Sequence, residues 1–472
     1  IFLSPVQYSE KLMVFVRVLY LLYFKWTVIS ENQKRMKTIH IGILGYGVVG
    51  TGVARLLKEK KQLLESRIGA ALKLKTIADI DTTTDRGLDL GDTSLVSDAN
   101  LIINDPQIDI IVETIGGETL AKKFILDALE NQKHVVTANK ALLASFGNDL
   151  VKVAGKNLVD LGFEASCGGC MPIIKSLRES LVANDIKSMS AILNGTCNYI
   201  LTKISREGSG FEEALKHAQD LGYAEAEPSL DIDGFDTAHK LAILNSLAHG
   251  MEINLKDIHV EGIRNITPVD IEFARSFGYT IKLLAIGKIH DDYVEARVHP
   301  TMISGSNPLS HVEMSMNAIV IDADATGQTM LYGHGAGMMP TASAVLSDIA
   351  DIARNIISGT KRRVPILGYP EDNIKPMPIL PMDELYTRYY LRFEAQDHPG
   401  VLAKISGILG ENNISIKSVH QKGRKTNGKV PVVMITHIAK EAWVQKALKQ
   451  ISKTDSVVGR PIVIRIEETD QE

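Results

Sequence analysis

The sequence predicts an α/β protein that opens on a parallel sheet, continues as an α+β region and ends in a small βαββαβ unit. Three observations lead to this prediction. Strand-like apolar runs alternate with helical patterns from residue 37 to about residue 163. Glycine-rich turns before apolar helices occupy residues 164–360, and we expect residues 334–360 to pack back on the first domain. A proline-rich connection at 361–385 then leads to the unit at 386–472.

Length and composition describe an ordinary globular chain. At 472 residues it should hold about three domains, and 45% hydrophobic with 23% charged residues is typical of soluble proteins. The net charge of −4 gives no attraction to nucleic acid or to anionic membranes. Three cysteines argue for a reducing compartment rather than a disulfide framework. We therefore expect a cytoplasmic protein without nucleic-acid or membrane partners.

Residues 1–35 stand before the first predicted strand. Their apolar stretch Leu12–Ser30 is interrupted by Arg17 and Lys25, and its longest uncharged run, Val18–Phe24, is too short to span a bilayer. We expect a poorly ordered extension or a translated upstream stretch, with a membrane anchor as the alternative.

The stretch Lys37–Leu57 organises the first domain. An apolar strand runs through a G-x-G-x-x-G turn into a helical pattern. The first glycine permits the tight bend, the second lets the backbone approach a pyrophosphate, and the third lets helix and strand pack closely. The alternative is a purely structural turn. We predict a Rossmann-type dinucleotide site whose candidate cofactor-binding residues are Gly45, Tyr46, Gly47, Val48, Val49 and Gly50.

Acidic residues close the second predicted strand, Ala71–Ile80. An acid at this position commonly holds the ribose 2′-OH of NAD, and Asp79 and Asp81 are the candidates. Their distance from Gly50 requires a long first helix. Arg86 is the alternative contact, for the 2′-phosphate of NADP.

Two further strands end in polar turns. The strand Asp109–Val112 leads to Thr114, a candidate cofactor contact, and the strand Lys133–Ala138 stops at Lys140. Because ligands of open parallel sheets bind beyond the carboxyl ends of the strands, Lys140 should face cofactor and substrate. The alternative is a solvated lysine.

The segment Gly162–Pro172 is a glycine-rich turn before a predicted helix, Ile173–Ala183. It contains the C-x-x-C pattern of Cys167 and Cys170. A zinc site would need two more ligands, and only one other cysteine exists in the chain. We therefore favour small packing residues beside a backbone-lined pocket over zinc or a redox disulfide.

A second chemical centre is predicted around residues 222–250. The loop before the helix that starts near Phe235 is rich in carboxylates and contains no basic residue. Asp236 and Lys240 share one face of this helix, whose remaining residues are largely apolar. A surface ion pair is the simpler interpretation. Partial burial would instead make the lysine a tunable proton donor.

Two later segments complete the chain. The turn Gly333–Gly337 precedes an apolar helix and suits either the edge of the cofactor cleft or close packing. In the last unit, the loop Asp397–Gly400 lies between the first strand and the first helix, where it presents backbone N–H groups to a small anion or an amino acid. The order βαββαβ there is the ferredoxin-like arrangement, with a glycine hairpin at Gly423–Gly428.

Together these motifs resemble the homoserine dehydrogenase family with a C-terminal ACT regulatory domain. The resemblance covers about Lys37–Ile466 and is carried by GILGYGVVGTGV, VVTANKALL, EASCGGCMPIIKSLRE, LNGTCNYIL, GYAEAEPSLDIDGFDTAHKLAIL and GAGMMPTASAV. It implies reversible oxidation of L-homoserine to L-aspartate 4-semialdehyde with NAD or NADP, on the route to threonine, methionine and isoleucine. It also implies a catalytic and dimerisation domain at 164–360, a homodimer or homotetramer, and feedback control by L-threonine.

The resemblance assigns roles to the polar residues of both centres. Lys240 resembles the family's proton donor, and Lys140 a lysine that meets cofactor and substrate oxygen. Glu225 matches the homoserine-binding glutamate, and Asp236 a partner of substrate and of Lys240. Gly337 matches a cofactor contact.

A monovalent-cation site, for sodium or potassium, is also implied. It would consist of Glu164 and the carbonyl groups of Cys167, Gly169 and Met171. Cys170 stands where the family usually has glycine. NADP-preferring members often carry an arginine near the end of the second strand, and its absence beside Ile80 leaves coenzyme choice open.

Two competing functions come from other classes. An aspartate-semialdehyde dehydrogenase would need a nucleophilic cysteine with a paired base, and no cysteine here has a histidine nearby in sequence. The second alternative is an amino-acid-binding regulator that merely retains the cofactor domain. Such a regulator would not require the combination of Lys140, Glu225, Asp236 and Lys240.

Overall fold

The computed structural model describes residues 36–421 and 428–468. The predicted extension at 1–35, most of the predicted hairpin Gly423–Gly428 and residues 469–472 lie outside the described residues. In the described part of the chain, no helix is long and apolar enough to cross a bilayer.

The first sheet has six parallel strands in the order β3-β2-β1-β4-β5-β6. This is the Rossmann order, in which the chain reverses direction across the sheet between β1 and β4 and leaves a crevice there. The strands are β1 Thr38–Leu44, β2 Ala71–Ala78, β3 Ser94–Val96, β4 Ile110–Glu113, β5 His134–Thr137 and β6 Leu161–Gly162.

Helices cover both faces of this sheet. The single long first helix expected from the sequence is wrong, because the chain leaves helical geometry at Lys60 and two consecutive helices fill the same distance. The helices of this part are α1 Val48–Glu59, α2 Lys61–Ile68, α3 Asn100–Ile103, α4 Thr119–Glu130 and α5 Lys140–Asn157.

The middle of the chain forms a second, mainly antiparallel sheet. Its strands are β7 Ile186–Ile192, β8 His259–Val260, β9 Tyr279–Ile289, β10 Val294–Ser304, β11 Met316–Ala323 and β12 Gly327–His334. Its helices are α6 Ile173–Lys175, α7 Gly195–Glu207, α8 Phe211–Asp220, α9 Ser229–Ile232, α10 Phe235–His249, α11 Pro268–Ser276 and α12 Met338–Ser358. The predicted helix Ile173–Ala183 is shorter, since α6 continues as a π-helix, Ser176–Ser180.

Helix α12 returns to the first sheet. Its buried residues Ala342, Val345 and Ile349 belong to the same core cluster as Ile39 and Val53. Helix α12 therefore packs against the first sheet, while another core cluster contains Leu44 and Val135 of the first sheet together with Met189 and Leu283 of the second.

The C-terminal unit has the predicted βαββαβ order, with one short extra strand. Its elements are β13 Tyr386–Gln396, α13 Val401–Glu411, β14 Ile416–Gln421, β15 Lys429–Thr436, β16 Ala439–Lys440, α14 Glu441–Ile451 and β17 Ile462–Glu467. Its four long strands lie in the order β17-β13-β15-β14.

This unit and the middle domain share one sheet of 11 strands. Strand β17 pairs in parallel with β10, so that Met302 faces Ile466. The connection at 361–385 also packs against the protein, because Ile366 and Leu367 are buried and Ile379 bridges to Val294. The C-terminal unit is thus continuous with the rest of the molecule.

Candidate active site

The glycine turn after β1 is shaped by close backbone packing. Gly45 has a φ of +97°, and a Cβ there would lie 2.7 Å from the backbone of Thr114. A Cβ at Gly50 would lie 2.0 Å from the Gly45 carbonyl oxygen, while one at Gly47 would meet no atom within 4 Å. Gly47 thus faces open space at the N-terminus of α1, which fits the pyrophosphate of a dinucleotide.

Thr114 and Gly337 frame this turn. The Thr114 hydroxyl donates to the Gly45 carbonyl oxygen at 2.8 Å. Gly337 is the N-cap residue directly before α12, and a Cβ at Gly52 of α1 would lie 2.8 Å from the Met338 side chain. Two of the predicted cofactor contacts therefore lie at the same crevice as the glycine turn.

Asp79 and Arg86 occupy the end of β2. The Asp79 carboxylate accepts hydrogen bonds from the backbone N–H groups of Tyr46 and Asp81. The Arg86 guanidinium lies 3.3 Å from Asp81 Oδ2, 3.9 Å from Asp79 Oδ1 and 4.8 Å from the centre of the Tyr46 ring. The acid expected to hold a ribose hydroxyl is already engaged, and a guanidinium lies beside it.

The two predicted lysines meet at one carboxylate. Lys140 Nζ lies 3.0 Å from Asp236 Oδ1, and Lys240 Nζ lies 2.8 Å from Asp236 Oδ2. Lys240 also donates to the Leu193 carbonyl oxygen at 2.6 Å and is only 7% exposed. Asp236 and Lys240 are therefore not the surface ion pair of the simpler interpretation.

This three-residue cluster lies at the carboxyl edge of the first sheet. Lys140 is the first residue of α5, directly beyond β5, and Asn139 caps that helix by accepting from the Leu142 N–H. Helix α10 brings Asp236 and Lys240 from a part of the chain about one hundred residues later. A lysine pair held by one buried carboxylate thus faces the crevice.

Asn194 and Asp231 extend the cluster. The Asn194 amide donates to Asp236 Oδ2 at 2.9 Å and to Asp231 Oδ1 at 2.7 Å. Cys197 Sγ lies 3.2 Å from the Asp231 carbonyl oxygen. The sequence offered a signal for both, since Asn194 stands in the turn before α7 and Asp231 in the acidic loop, yet neither was named as a site residue.

Charges in the cluster stabilise one another. Burial would raise the pKa of Asp236, but Lys240 and Lys140 outweigh burial and hold it well below its ordinary value. The Asp236 carboxylate in turn raises the pKa of Lys140 against the effect of burial. Burial and the neighbouring Asp236 raise the pKa of Asp231, and burial lowers that of His239. Lys140 is therefore an ammonium at neutral pH.

Glu225 is not part of this cluster. Its side chain is exposed, and its backbone carbonyl oxygen accepts from the Gln219 side chain. No described contact joins its carboxylate to Lys140, Asp236 or Lys240.

All three cysteines are free thiols. Burial raises the pKa of Cys167 to about 12 and that of Cys197 well above its ordinary value. Neither is poised as a thiolate nucleophile, while Cys170 is exposed. Among residues 36–421 and 428–468, no group of three or more His, Cys, Asp or Glu side chains is arranged to hold a metal ion.

The predicted cation loop lies against the turn before α12. A Cβ at Gly169 would lie 2.5 Å from the His334 carbonyl oxygen, and the Met171 carbonyl accepts from the Ile173 N–H at 2.8 Å. The Glu164 carboxylate accepts from the backbone N–H groups of Ile174 and Lys175 at 2.9 and 3.0 Å. Burial and Asp348 raise the pKa of Glu164 to about 7.

Family comparisons match three consecutive parts of the chain. The family model described as "Homoserine dehydrogenase, NAD binding domain" matches residues 45–164, and that described as "Homoserine dehydrogenase" matches residues 172–350. The "ACT domain" family matches residues 389–455.

Curated relatives match over nearly their whole length. The homoserine dehydrogenase of Neisseria gonorrhoeae is 41% identical over 432 residues, which are 92% of this chain and 99% of that protein. The homoserine dehydrogenase of Helicobacter pylori is 42% identical over 431 residues, 91% of this chain and 99% of that protein.

Solved structures agree with the sequence relatives. A homoserine dehydrogenase from Thiobacillus denitrificans superposes with a TM-score of 0.87 at 40% identity and covers 92% of this chain and 99% of its own. A hyperthermophilic archaeal homoserine dehydrogenase in complex with NADPH gives a TM-score of 0.57 at 29% identity over 67% of this chain and 97% of its own. The chain belongs to the homoserine dehydrogenase family and is an oxidoreductase that acts on a CH–OH group.

Proposed function

We propose that this chain oxidises L-homoserine reversibly to L-aspartate 4-semialdehyde with Lys240 as its proton-transfer group. The observation that carries the proposal is the Lys140–Asp236–Lys240 cluster at the carboxyl edge of a Rossmann sheet. A rise in nicotinamide absorbance that depends on homoserine, followed with NAD and NADP side by side, tests it. No absorbance change with either coenzyme would contradict it.

The glycine turn would hold the dinucleotide, whose nicotinamide would supply the hydride acceptor for the carbinol hydrogen of homoserine. The hydroxyl proton leaves to Lys240 or to a water that Lys240 holds. In the reverse direction the Lys240 ammonium stabilises the developing alkoxide and donates the proton. Lys140, at 3.0 Å from Asp236, can donate a second hydrogen bond to the same substrate oxygen.

Carboxylates around the cluster suit the ammonium group of the substrate. We propose Asp236 and Glu225 for this contact, and Asp231 joins them because its side chain shares Asn194 with Asp236. Glu225 lies in the exposed loop before α9, so its contact requires the loop to close over bound homoserine.

The Arg86 guanidinium is proposed to bind the 2′-phosphate of NADP. Asp79 stands where an acid commonly binds the ribose 2′-OH of NAD. In the structure, however, the Asp79 oxygens accept hydrogen bonds from backbone N–H groups, and the Arg86 guanidinium lies beside them. The Arg86→Gln variant should raise KM for NADP at least roughly tenfold, since a hydrogen bond to a charged group contributes about 1.5–3 kcal/mol. Its KM for NAD should change little, because NAD has no 2′-phosphate.

Steady-state kinetics with both coenzymes measure this difference. Arg67→Gln is the matched control, an exposed arginine on α2 away from the turn. An equal change in both KM values would contradict a role in coenzyme choice.

Glu164 and the carbonyl groups of Cys167, Gly169 and Met171 are proposed to hold a sodium or potassium ion. All these donors are oxygen atoms, the ligand type that hard cations prefer. The buried Glu164 carboxylate has no ion pair within 4.0 Å among the described residues, and a cation would stabilise its charged form. Comparing rates in potassium, sodium and tetramethylammonium salts tests the site, and equal rates would count against it.

The ACT unit is proposed to bind L-threonine as a feedback inhibitor through the loop at 397–400. Gly400 caps α13 in a left-handed conformation, so the N–H groups of that helix face the loop. Threonine should inhibit the full chain, and Asp397→Asn should raise the inhibition constant at least roughly tenfold without changing kcat, because Asp397 would pair with the ligand's ammonium.

Glu411→Gln is the matched control for Asp397→Asn, since it removes an exposed acid at the far end of the same helix. Inhibition that is unchanged in Asp397→Asn would contradict the loop as the threonine site. A truncated chain is a poor alternative test, because it would remove β17 from the shared sheet.

A homodimer or homotetramer in the cytoplasm is proposed for the working form. The edge strand β12 supports assembly because its Met330 and Tyr332 are 36% and 57% exposed. Light scattering of the purified chain measures its mass in solution, and the mass of a monomer would contradict this proposal.

A further inference from the structure

A cavity of about 230 Å³ lies away from the crevice, between α7, α11, the start of β9 and the loop at 305–313. Neither the coenzyme nor homoserine is expected there. Its polar lining combines cationic groups with hydroxyl groups: Thr202, Ser205, Arg275, Lys282, Ser310 and His311, with one carboxylate, Glu313.

Lys282 is a buried cation that forms no ion pair with a carboxylate among the described residues. It is 3% exposed, and its ammonium donates to the Asn198 side-chain oxygen at 3.1 Å and to the Val312 carbonyl. Both acceptors are neutral. Glu313, the carboxylate whose charge acts on Lys282, is already paired with Arg206. A buried charge of this kind is costly unless an opposite charge joins it.

Burial lowers the pKa of Lys282 to about 8, so most molecules carry the ammonium at pH 7. A bound anion would favour that charged form.

Arg275 brings a second cation to the same cavity. Its guanidinium donates to Ser205, with the contact to Ser205 Oγ at 3.1 Å, and the arginine is otherwise exposed. The remaining guanidinium donors are suited to a planar or tetrahedral oxyanion. Ser310, whose hydroxyl donates to the Gly305 carbonyl oxygen at 3.2 Å, and His311 also line the cavity.

We propose that this cavity binds a small oxyanion of the size of phosphate. Two cations in one cavity, one of them buried with neutral acceptors only, are the chemistry that recognises such an ion. A volume of about 230 Å³ suits an ion of this size better than a nucleotide, since pockets for larger ligands begin at roughly 300 Å³.

The cavity borders the joint with the C-terminal unit. Tyr279, which lines it, donates to Glu468 at 3.2 Å, and the Phe277 ring contacts the His420 ring at 4.5 Å between centres. An ion bound there stabilises the folded chain by mass action and is therefore visible as a rise in Tm.

The experiment follows Tm of the full chain against inorganic phosphate at constant ionic strength, with chloride as the reference salt. NADP is present in excess to occupy the phosphate-binding turn. We expect a saturable rise in Tm that Arg275→Gln weakens at least roughly tenfold in apparent affinity. Arg354→Gln, an exposed arginine on α12, is the matched control and should respond like wild type.

Lys282→Met should abolish the response. If that variant does not fold, Arg275→Gln still decides, because its side chain is exposed. Methyl phosphate distinguishes the source of the ion. A rise in Tm equal to that with inorganic phosphate indicates that the cavity takes a phosphomonoester group. The loss of this rise indicates that it takes the free ion. No saturable rise, or an Arg275→Gln response equal to wild type, would overturn the proposal.

Discussion

Replacement of Lys240 by alanine is expected to lower kcat for homoserine oxidation at least roughly a hundredfold, the usual scale for a lost acid–base group. Coenzyme binding should stay near wild type, because the glycine turn lies on another element. Asp236 would keep Lys140 at 3.0 Å, so the cluster would not be left with an uncompensated carboxylate. Stopped-assay kinetics together with coenzyme titration by fluorescence measure the two effects separately.

The variants Lys240→Arg and Lys240→Met separate proton transfer from charge and from packing. Arginine keeps the positive charge beside Asp236 but does not release a proton near neutral pH, so its kcat should also fall strongly. Methionine keeps the volume of this 7% exposed side chain and checks that the loss is not one of stability.

Lys203→Met is the matched control for these variants. Lys203 forms an i,i+4 pair with Glu207 on α7, as Lys240 does with Asp236 on α10, but the Glu207 side chain is 52% exposed. The Lys203→Met variant should change kcat little. Near-normal turnover in Lys240→Ala would remove the proton-transfer role.

The cluster could be anticipated from sequence because its strongest signals are local. The i,i+4 spacing puts Asp236 and Lys240 on one helix face, and the strand end before Lys140 points that residue to the sheet edge. The glycine turn could be predicted for the same reason, since strand, turn and helix follow one another directly in the sequence.

Contacts across long sequence distances could not be anticipated in this way. Asn194 reaches Asp236 across 42 positions, and no local pattern specifies which of several polar turns will meet the acidic loop. The engagement of Asp79 by the Tyr46 N–H likewise depends on how tightly the glycine turn folds back on β2.

The shared sheet was missed for a related reason. The pairing of β10 with β17 joins residues more than 160 positions apart, and no local pattern specifies it. The prolines at 361–385 suggested a spacer, but that stretch lies in contact with the protein through Ile366 and Leu367.

Replacement of Arg465 by methionine is expected to lower the free energy of unfolding by about 3–5 kcal/mol, as when one partner of a buried ion pair is removed. Arg465 is 2% exposed on β17 and donates to Glu441 of its own unit at 2.7 and 2.9 Å. It also donates to Glu261, beyond β8, at 2.9 and 3.0 Å. The variant would leave the buried Glu441 carboxylate with the Gln445 amide as a hydrogen-bond donor but without its cationic partner.

The loss should depend on pH with a definite sign. Burial would raise the pKa of Glu261, but hydrogen bonds from His259 and Arg465 hold it well below its ordinary value. A carboxylate with a lowered pKa contributes stability above its unfolded pKa and loses it as pH falls. The difference between wild type and Arg465→Met should therefore be full above about pH 5 and shrink toward acid.

Arg354→Met is the control for Arg465→Met, since the Arg354–Asp351 pair is half exposed and should contribute less than about 1 kcal/mol. Urea unfolding followed by circular dichroism at pH 7 and pH 4 measures both variants. Because Ile263 of the Glu261 loop donates to the Ile232 carbonyl beside the acidic loop, Arg465→Met should also weaken the threonine inhibition proposed above. A loss no larger than that of Arg354→Met, or one that grows as pH falls, would contradict the role of this ion pair in joining the C-terminal unit to the second sheet.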